Sequence, residues 1–264
     1  RAFSGLLEAL DPIRFTRKSE LDSEDRLRVS ETVIRRLKSE INTCYTSKGE
    51  APRFSDRVVQ ALPVLRFGQH ERDLEIGLRD FRKSLKKTLK NTDHITRTAA
   101  NFATGVLQKR LLSGPWAFGQ SWLALMEGLE HDGRTTAQAV ARVRDAAEAD
   151  TDDDTERESR QRHAERTVGA WLRQWKSNVS GEISKVTHAV KKIGVRHIST
   201  ELDPAGHISE VRAKSVKVKA DARLRALEIL IDNQLRENDE WQENERLVIF
   251  TEYLASLQYI RARL

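Results

Sequence analysis

The feature that most constrains the fold of this chain is its shortage of residues that interrupt helices. Its 264 residues include 13 glycines and 5 prolines, about 7% of the chain, whereas an average protein has about 12%. Apolar residues recur at helical spacing through most of the remainder. We therefore expect a mainly α protein with only short strands, near residues 57–66 and 247–250.

The spacing of the apolar residues also predicts where the elements lie. The run Leu-Val-Ile-Phe at 247–250 is typical of a fully buried parallel strand, and 216–218 is a further candidate strand. Residues 43–54 and 150–154 are predicted loops, and Pro115 is expected to begin a helix after a turn. The predicted helices span 3–10, 23–41, 68–112, 116–129, 135–149, 168–190, 219–235 and 253–264.

The sequence lacks the residue patterns that the common catalytic and metal sites require. No Gly-Lys pair occurs, so the chain has no phosphate-binding loop of the Walker type. The seven histidines are scattered without metal-ligand spacing. The single cysteine, Cys44, excludes a disulfide framework and favours a reducing, cytoplasmic location, and we expect its thiol to be buried or inert. Because no stretch approaches the roughly 18 apolar residues of a membrane span, we expect no membrane partner.

The charged residues are unevenly distributed along the chain. The formal net charge is only +6, but residues 83–110 carry seven basic side chains and one acidic one, and residues 185–219 carry eight and three. Residues 145–158 hold eight acidic side chains and are predicted to form an acidic loop. Two interpretations stay open at this point: solvated helix faces around that loop, or two basic surfaces that follow a phosphate backbone.

Five short segments, in this order along the chain, resemble the Swi/Snf-type superfamily-two helicase-like ATPases, the bacterial DEAD/DEAH helicase family in particular. The opening segment is similar to the helix that follows the Thr-Pro motif of the first RecA-like lobe, and the last is similar to motif IV of the second lobe. The segments are Phe3–Phe15, Val33–Glu40, Phe54–Arg57 with Leu62–Val64, Leu107–Pro115 and Leu247–Tyr253.

The resemblance implies a mainly α fold in which a helical insertion lies between two RecA-like α/β lobes, with short strands at the lobe edges. Residues 1–67 would end the first lobe, 68–218 would form the insertion, and 219–264 would begin the second lobe. The parent protein would be an ATP-dependent double-stranded DNA translocase or helicase that uses ATP and Mg²⁺. The chain begins with Arg1, and the nucleotide-binding motifs would precede it, so we expect the chain alone to lack ATPase activity and to hold no cofactor or metal.

The resemblance also implies candidate site residues, for which structural alternatives remain open. The basic residues of the 33–40 segment could instead form ion pairs with Glu31 and Glu40, and those before Ser113 could instead stabilise a helix C-terminus. The alternative function is a helical protein-interaction module, or a stand-alone nucleic-acid-binding module, without motor activity. The candidate DNA contacts are Arg35, Arg36, Lys38, Lys109 and Arg110, and motif IV comprises Phe250, Thr251 and Glu252.

Overall fold

The computed structural model of the protein describes residues 2–18, 20–32, 37–55, 58–59, 61, 66–131, 133, 135–149, 151, 153–196, 216–238 and 240–264. Over these residues the chain is mainly helical, which confirms that part of the predicted fold class. The chain divides into two compact units, Arg1–Ala61 and Leu62–Leu264. The predicted division at 67/68 and 218/219 stays a prediction.

The first unit contains three short helices: α1 (Ala2–Leu10), α2 (Ser23–Thr32) and α3 (Lys38–Thr46). The single helix predicted over 23–41 is wrong, because the extended residue Leu37 precedes α3 and the Glu40 carboxylate accepts a hydrogen bond from its backbone N–H at 2.9 Å. This bond satisfies a free donor at the start of α3. The predicted loop over 43–54 begins later than expected, and Cys44 is exposed on α3 rather than buried.

The second unit contains the longer helices. The chain changes direction by a 3₁₀ turn at Arg173–Trp175 and by a hairpin of two-residue strands, β1 (Arg236–Glu237) and β2 (Glu240–Trp241). Its α-helices are α4 (Gln69–Thr88), α5 (His94–Ser113), α6 (Pro115–Glu130), α7 (Ala137–Glu148), α8 (Asp154–Leu172), α9 (Lys176–Ile193), α10 (Ala222–Leu235) and α11 (Leu254–Arg263).

The helix predicted over 68–112 is two helices, α4 and α5. Asp93 caps α5, since its carboxylate accepts hydrogen bonds from the Thr96 backbone N–H at 2.9 Å and from the Thr96 hydroxyl at 2.6 Å. Short polar side chains of this kind favour helix ends over helix interiors. Apolar spacing continues through the turn, so it could not reveal the reversal. Farther along, Pro115 begins α6 as predicted.

The predicted acidic loop over 145–158 is mostly helical. α7 ends at Glu148 and α8 begins at Asp154, so only 149–153 connect them. The Asp153 carboxylate caps α8 by accepting from the backbone N–H groups of Thr155 and Glu156 at 2.8 and 3.1 Å. Acidic side chains are favourable at a helix N-terminus because the helix dipole is positive there, which explains how so many of them fit a helix start.

The core of the second unit lies between two helix pairs, α4 with α9 and α6 with α8. The long helix predicted over 168–190 is interrupted by the 3₁₀ turn, since α8 packs on α6 whereas α9 packs on α4. The backbones of α6 and α8 approach closely at two glycines. A Cβ atom on Gly169 would lie 2.0 Å from the Leu125 carbonyl oxygen, and one on Gly128 would lie 1.9 Å from the Arg166 carbonyl oxygen.

The predicted strands are not found where the structure describes the chain. Residues 247–250 form an irregular segment, in which Val248 is 70% and Phe250 92% exposed. A parallel strand needs a neighbouring strand, and the described residues provide only the β1–β2 hairpin. Val216 and Val218 are not in a strand either, and most of 57–66 lies outside the described residues. Among the helices described, none has the length and apolar character needed to span a membrane.

Candidate functional site

The predicted DNA contacts of the first unit are only partly described. Arg35 and Arg36 lie outside the described residues. Lys38 is the first residue of α3 and is exposed, and its ammonium group lies 5.5 Å from the centre of the Phe54 ring. This cation–π contact is compatible with a solvent-facing position. The proposed roles of these three residues stay predictions.

The other two predicted contacts, Lys109 and Arg110, are neighbours on α5 with opposite environments. Lys109 is exposed, whereas only 1% of Arg110 is exposed. Consecutive residues of a helix are about 100° apart around its axis, so one of them faces solvent while the other faces α8. Lys109 and Arg110 therefore do not lie on one surface, and their roles as phosphate contacts stay predictions.

Arg110 is held by side chains of α8 and by an aromatic ring. Its Nη2 lies 3.2 Å from a Glu158 carboxylate oxygen and also donates to Gln161, and its Nε lies 3.7 Å from Glu165. The guanidinium carbon stacks 4.1 Å from the centre of the Tyr253 ring. Arg110 of α5 is therefore the cation of an internal ion pair with Glu158 and Glu165 of α8. Its contact with Tyr253 links both helices to the start of α11. A role in phosphate binding would require these contacts to open.

The carboxyl group of Glu165 is buried beside this arginine. Burial raises the pKa of Glu165 above its ordinary value, and the positive charge of Arg110 opposes that shift. Within the described residues, the Nε and Nη1 atoms of Arg110 and one oxygen of Glu165 have no hydrogen-bond partner. Both groups are removed from water and need compensation for their charge; Glu165 faces the Arg110 guanidinium at 3.7 Å, and that guanidinium also pairs with Glu158 at 3.2 Å.

The segment 107–115 and the segment 247–253, both singled out by the resemblance, meet in the second unit. The Arg110 guanidinium stacks on the Tyr253 ring, and the Ser113 hydroxyl lies 2.6 Å from that of Ser256, three residues beyond the second segment. Lys109 lines an open cleft of about 430 Å³ together with the predicted motif IV residues Phe250, Thr251 and Glu252. The structure therefore brings four of the predicted site residues into one cleft.

The N-termini of α4 and α10 meet the C-terminal end of α5, whose Leu112 also lines this cleft. The Glu71 carboxylate of α4 accepts hydrogen bonds from the backbone N–H groups of Gly68 and Ala222, at 2.8 and 2.9 Å, and so bridges the N-termini of α4 and α10. Arg223 donates to the carbonyl oxygens of Leu111 and Leu112 at the end of α5. Burial raises the pKa of Asp221, the N-cap of α10. These polar contacts fix the relative positions of α4, α5 and α10.

A second concave surface, the basic groove, runs between α4 and α5 and has a volume of about 510 Å³. None of the described residues that line it is acidic. The sequence indicated a basic run beginning at Lys83, but it missed the two arginines that precede it. The missed signal is the spacing of five basic residues at i, i+3, i+4, i+7 and i+11, which places them on one face of α4. The groove cations are Arg79, Arg82, Lys83, Lys86, Lys90 and Arg97.

The arginines and the lysines of the basic groove differ in their partners. Arg82 donates to the Gln108 side chain, and Arg97 donates to the carbonyl oxygens of Lys90 and Thr92 at 3.4 and 3.0 Å. By contrast, no described carboxylate lies within 4.0 Å of the ammonium groups of Lys83, Lys86 and Lys90. The groove therefore combines arginines held by neighbours with lysines that have free hydrogen-bonding capacity.

The described residues contain no group of three or more His, Cys, Asp or Glu side chains arranged to hold a metal ion. No family model matches the chain, and the comparisons with curated proteins and with solved structures found no match.

Proposed function

We propose that this chain is the central part of an ATP-dependent double-stranded DNA translocase or helicase of the Swi/Snf type. In this proposal it lies between two RecA-like lobes, contributes DNA-backbone contacts and couples the lobes. The ATP and Mg²⁺ sites would belong to the parent protein. The observation that supports it best is the meeting of the segments 107–115 and 247–253 through the stacking of Arg110 on Tyr253, beside which the Ser113 and Ser256 hydroxyl groups are in contact.

The coupling role follows from how this junction is built. A motor of this type works by lobe closure on ATP, and closure moves the protein only if the lobes are linked through elements that transmit it. Arg110 connects α8 of the helical part to Tyr253, which directly follows the predicted motif IV. Lys109, exposed in the same cleft, is the side chain of this junction that is free to meet a phosphate.

The experiment is ATP hydrolysis by the complete gene product, with and without duplex DNA. We expect Lys109→Ala to lower the duplex-stimulated rate and Lys176→Ala, at an exposed position of α9, to leave it unchanged. We also expect the 264-residue chain alone to hydrolyse no ATP. A complete gene product without ATP turnover in the presence of duplex contradicts the motor, and equal effects of the two substitutions contradict the role of the junction.

A helical protein-interaction module is the second candidate, because one observation favours it. Val248 and Phe250, two positions apart, are 70% and 92% exposed, and patches of exposed large apolar side chains are typical of surfaces that bind other proteins. The same ATPase measurement separates the two candidates, since a module without motor activity predicts no nucleotide turnover in the complete gene product.

A further inference from the structure

We infer that the basic groove between α4 and α5 is a docking surface for the backbone of duplex DNA, separate from the Lys109 cleft. This inference deepens the proposed function and rests on it for the choice of DNA as the polyanion. The groove residues belong to none of the segments that resemble the helicase-like family. Charge, spacing and the composition of the groove lining carry the argument.

The first step is that no described carboxylate compensates the positive charges of the groove lysines. Buried or paired cations on a helix surface contribute to folding, but Lys83, Lys86 and Lys90 have no carboxylate partner among the described residues. They extend from a floor that includes the buried Leu85 and Leu89. Long basic side chains cover an apolar floor with their stems and keep the charged group in water, so the ammonium groups are directed to whatever occupies the groove.

The second step is the length of the basic stripe on α4. Arg79 and Lys90 are eleven positions apart, which corresponds to about 16 Å along a helix at about 1.5 Å per residue. One strand of a DNA duplex carries a phosphate about every 3.4 Å of helix axis. Over this length one strand presents at most about five phosphates, because the strand also winds around the duplex axis away from the stripe. A single small anion would use only part of this length.

The third step is the lack of aromatic side chains in the groove lining. No described residue that lines the groove is Phe, Tyr or Trp. Proteins that hold single strands combine a basic groove with aromatic rings on which the bases stack. A groove with cations and no stacking ring fits a backbone whose bases are already paired. The groove thus favours a duplex over a single strand, and we expect it to bind without sequence preference.

The experiment measures binding of the 264-residue chain to a labelled duplex by fluorescence anisotropy at several salt concentrations. With at most about five contacts, the slope of log K against log salt should be no steeper than about −4.5. We expect Lys83→Ala/Lys86→Ala to make the slope shallower by about two units. Both side chains are exposed and unpaired and alanine favours helix, so the variant should keep the wild-type circular dichroism spectrum and unfolding midpoint.

The matched control is Lys48→Ala/Lys176→Ala, which removes the same charge from exposed positions outside both basic runs. We expect the control to keep the wild-type slope. Equal slopes for both double variants, or tighter binding to a single strand of equal length, would overturn the inference. The inference would also be overturned if the chain bound poly-glutamate but not duplex and this binding required Lys83 and Lys86.

The outcomes separate this inference from the proposed function. If the chain binds duplex through the groove and the complete gene product shows no ATP turnover, the proposed motor function is wrong and the groove assignment stands. If the complete gene product is a duplex-stimulated ATPase and the groove variants bind duplex as the wild type does, the motor stands and the groove assignment is wrong.

Discussion

Replacement of Arg110 by methionine tests whether this residue is an internal ion pair or a DNA contact. Arg110→Met keeps a long flexible side chain but leaves Glu158 and Glu165 without their cation. Removal of one partner from a buried ion pair costs about 3–5 kcal/mol, and Arg110 is 1% exposed with its carboxylate partners at 3.2 and 3.7 Å. The longer distance to Glu165 favours the lower end, so we expect a loss of about 3 kcal/mol.

The assay is urea unfolding followed by circular dichroism, with Lys109→Met as the matched control. Lys109 is adjacent on α5 and exposed, and surface substitutions of this kind usually change stability by less than about 0.5 kcal/mol. A loss of about 3 kcal/mol is a large fraction of the 5–15 kcal/mol that typically stabilises a domain. The two neighbouring substitutions should therefore differ clearly in their unfolding midpoints.

The effect of Arg110→Met should also depend on pH. Burial already raises the pKa of Glu165, and loss of the positive charge raises it further. The native variant then binds a proton that the unfolded chain has released, so its stability increases as the pH falls toward the ordinary carboxyl value. We expect a smaller deficit at pH 5 than at pH 7.5. Small and equal effects of both substitutions, together with a shallower salt slope for duplex binding by Arg110→Met, would refute the assignment of Arg110 as an internal ion pair.

Three further predictions concern the packing of α6 on α8 and two helix caps. Gly169→Ala places a Cβ atom 2.0 Å from the Leu125 carbonyl oxygen and should cost about 2 kcal/mol or more in urea unfolding, whereas Gly181→Ala meets nothing within 4 Å and should stabilise by about 0.5–1 kcal/mol. Equal midpoints would contradict the close α6–α8 contact. Burial raises the pKa of Asp221 above its ordinary 3.8, so stability falls as the pH rises above that value. Asp221→Asn keeps a cap and should abolish this fall in pH-dependent thermal unfolding. The pKa of Asp93 is instead lowered by hydrogen bonds from the first turn of α5, so Asp93→Asn should remove a gain in stability as the pH rises toward 3.8.

The sequence predicted the helices better than their ends, for a physical reason. Apolar spacing reports which face of a segment is buried, and α4 and α5 bury faces with the same period, so the turn capped by Asp93 was not visible. The run 247–250 shows the opposite error. Its apolar residues fit a buried strand, but a strand also needs a partner, and no local pattern reports whether one is present.

The candidate binding surface could be predicted from the sequence only where its charged residues lie on one face of a single helix. The spacing of Arg79, Arg82, Lys83, Lys86 and Lys90 is a property of the sequence, and a search at helical period would have grouped them. The burial of Arg110 was not predictable, because it depends on Glu158 and Glu165, which lie about 50 residues away on α8. Charge counts along the sequence treat such a buried arginine and its exposed neighbour as equal.

The positions of the acidic and basic runs in the structure give the charge pattern a different meaning from its order in the sequence. Within 153–158, the Asp153 carboxylate caps α8 and the Glu158 carboxylate pairs with Arg110. Both negative charges therefore have partners inside the second unit. The lysines of the basic groove have no such internal partner where the chain is described. A chain with a net charge of +6 can therefore present a concentrated positive surface between α4 and α5. Its affinity for a polyanion should depend on these few lysines and not on the overall charge. Screening at physiological salt limits the range over which each exposed charge acts to about 8 Å.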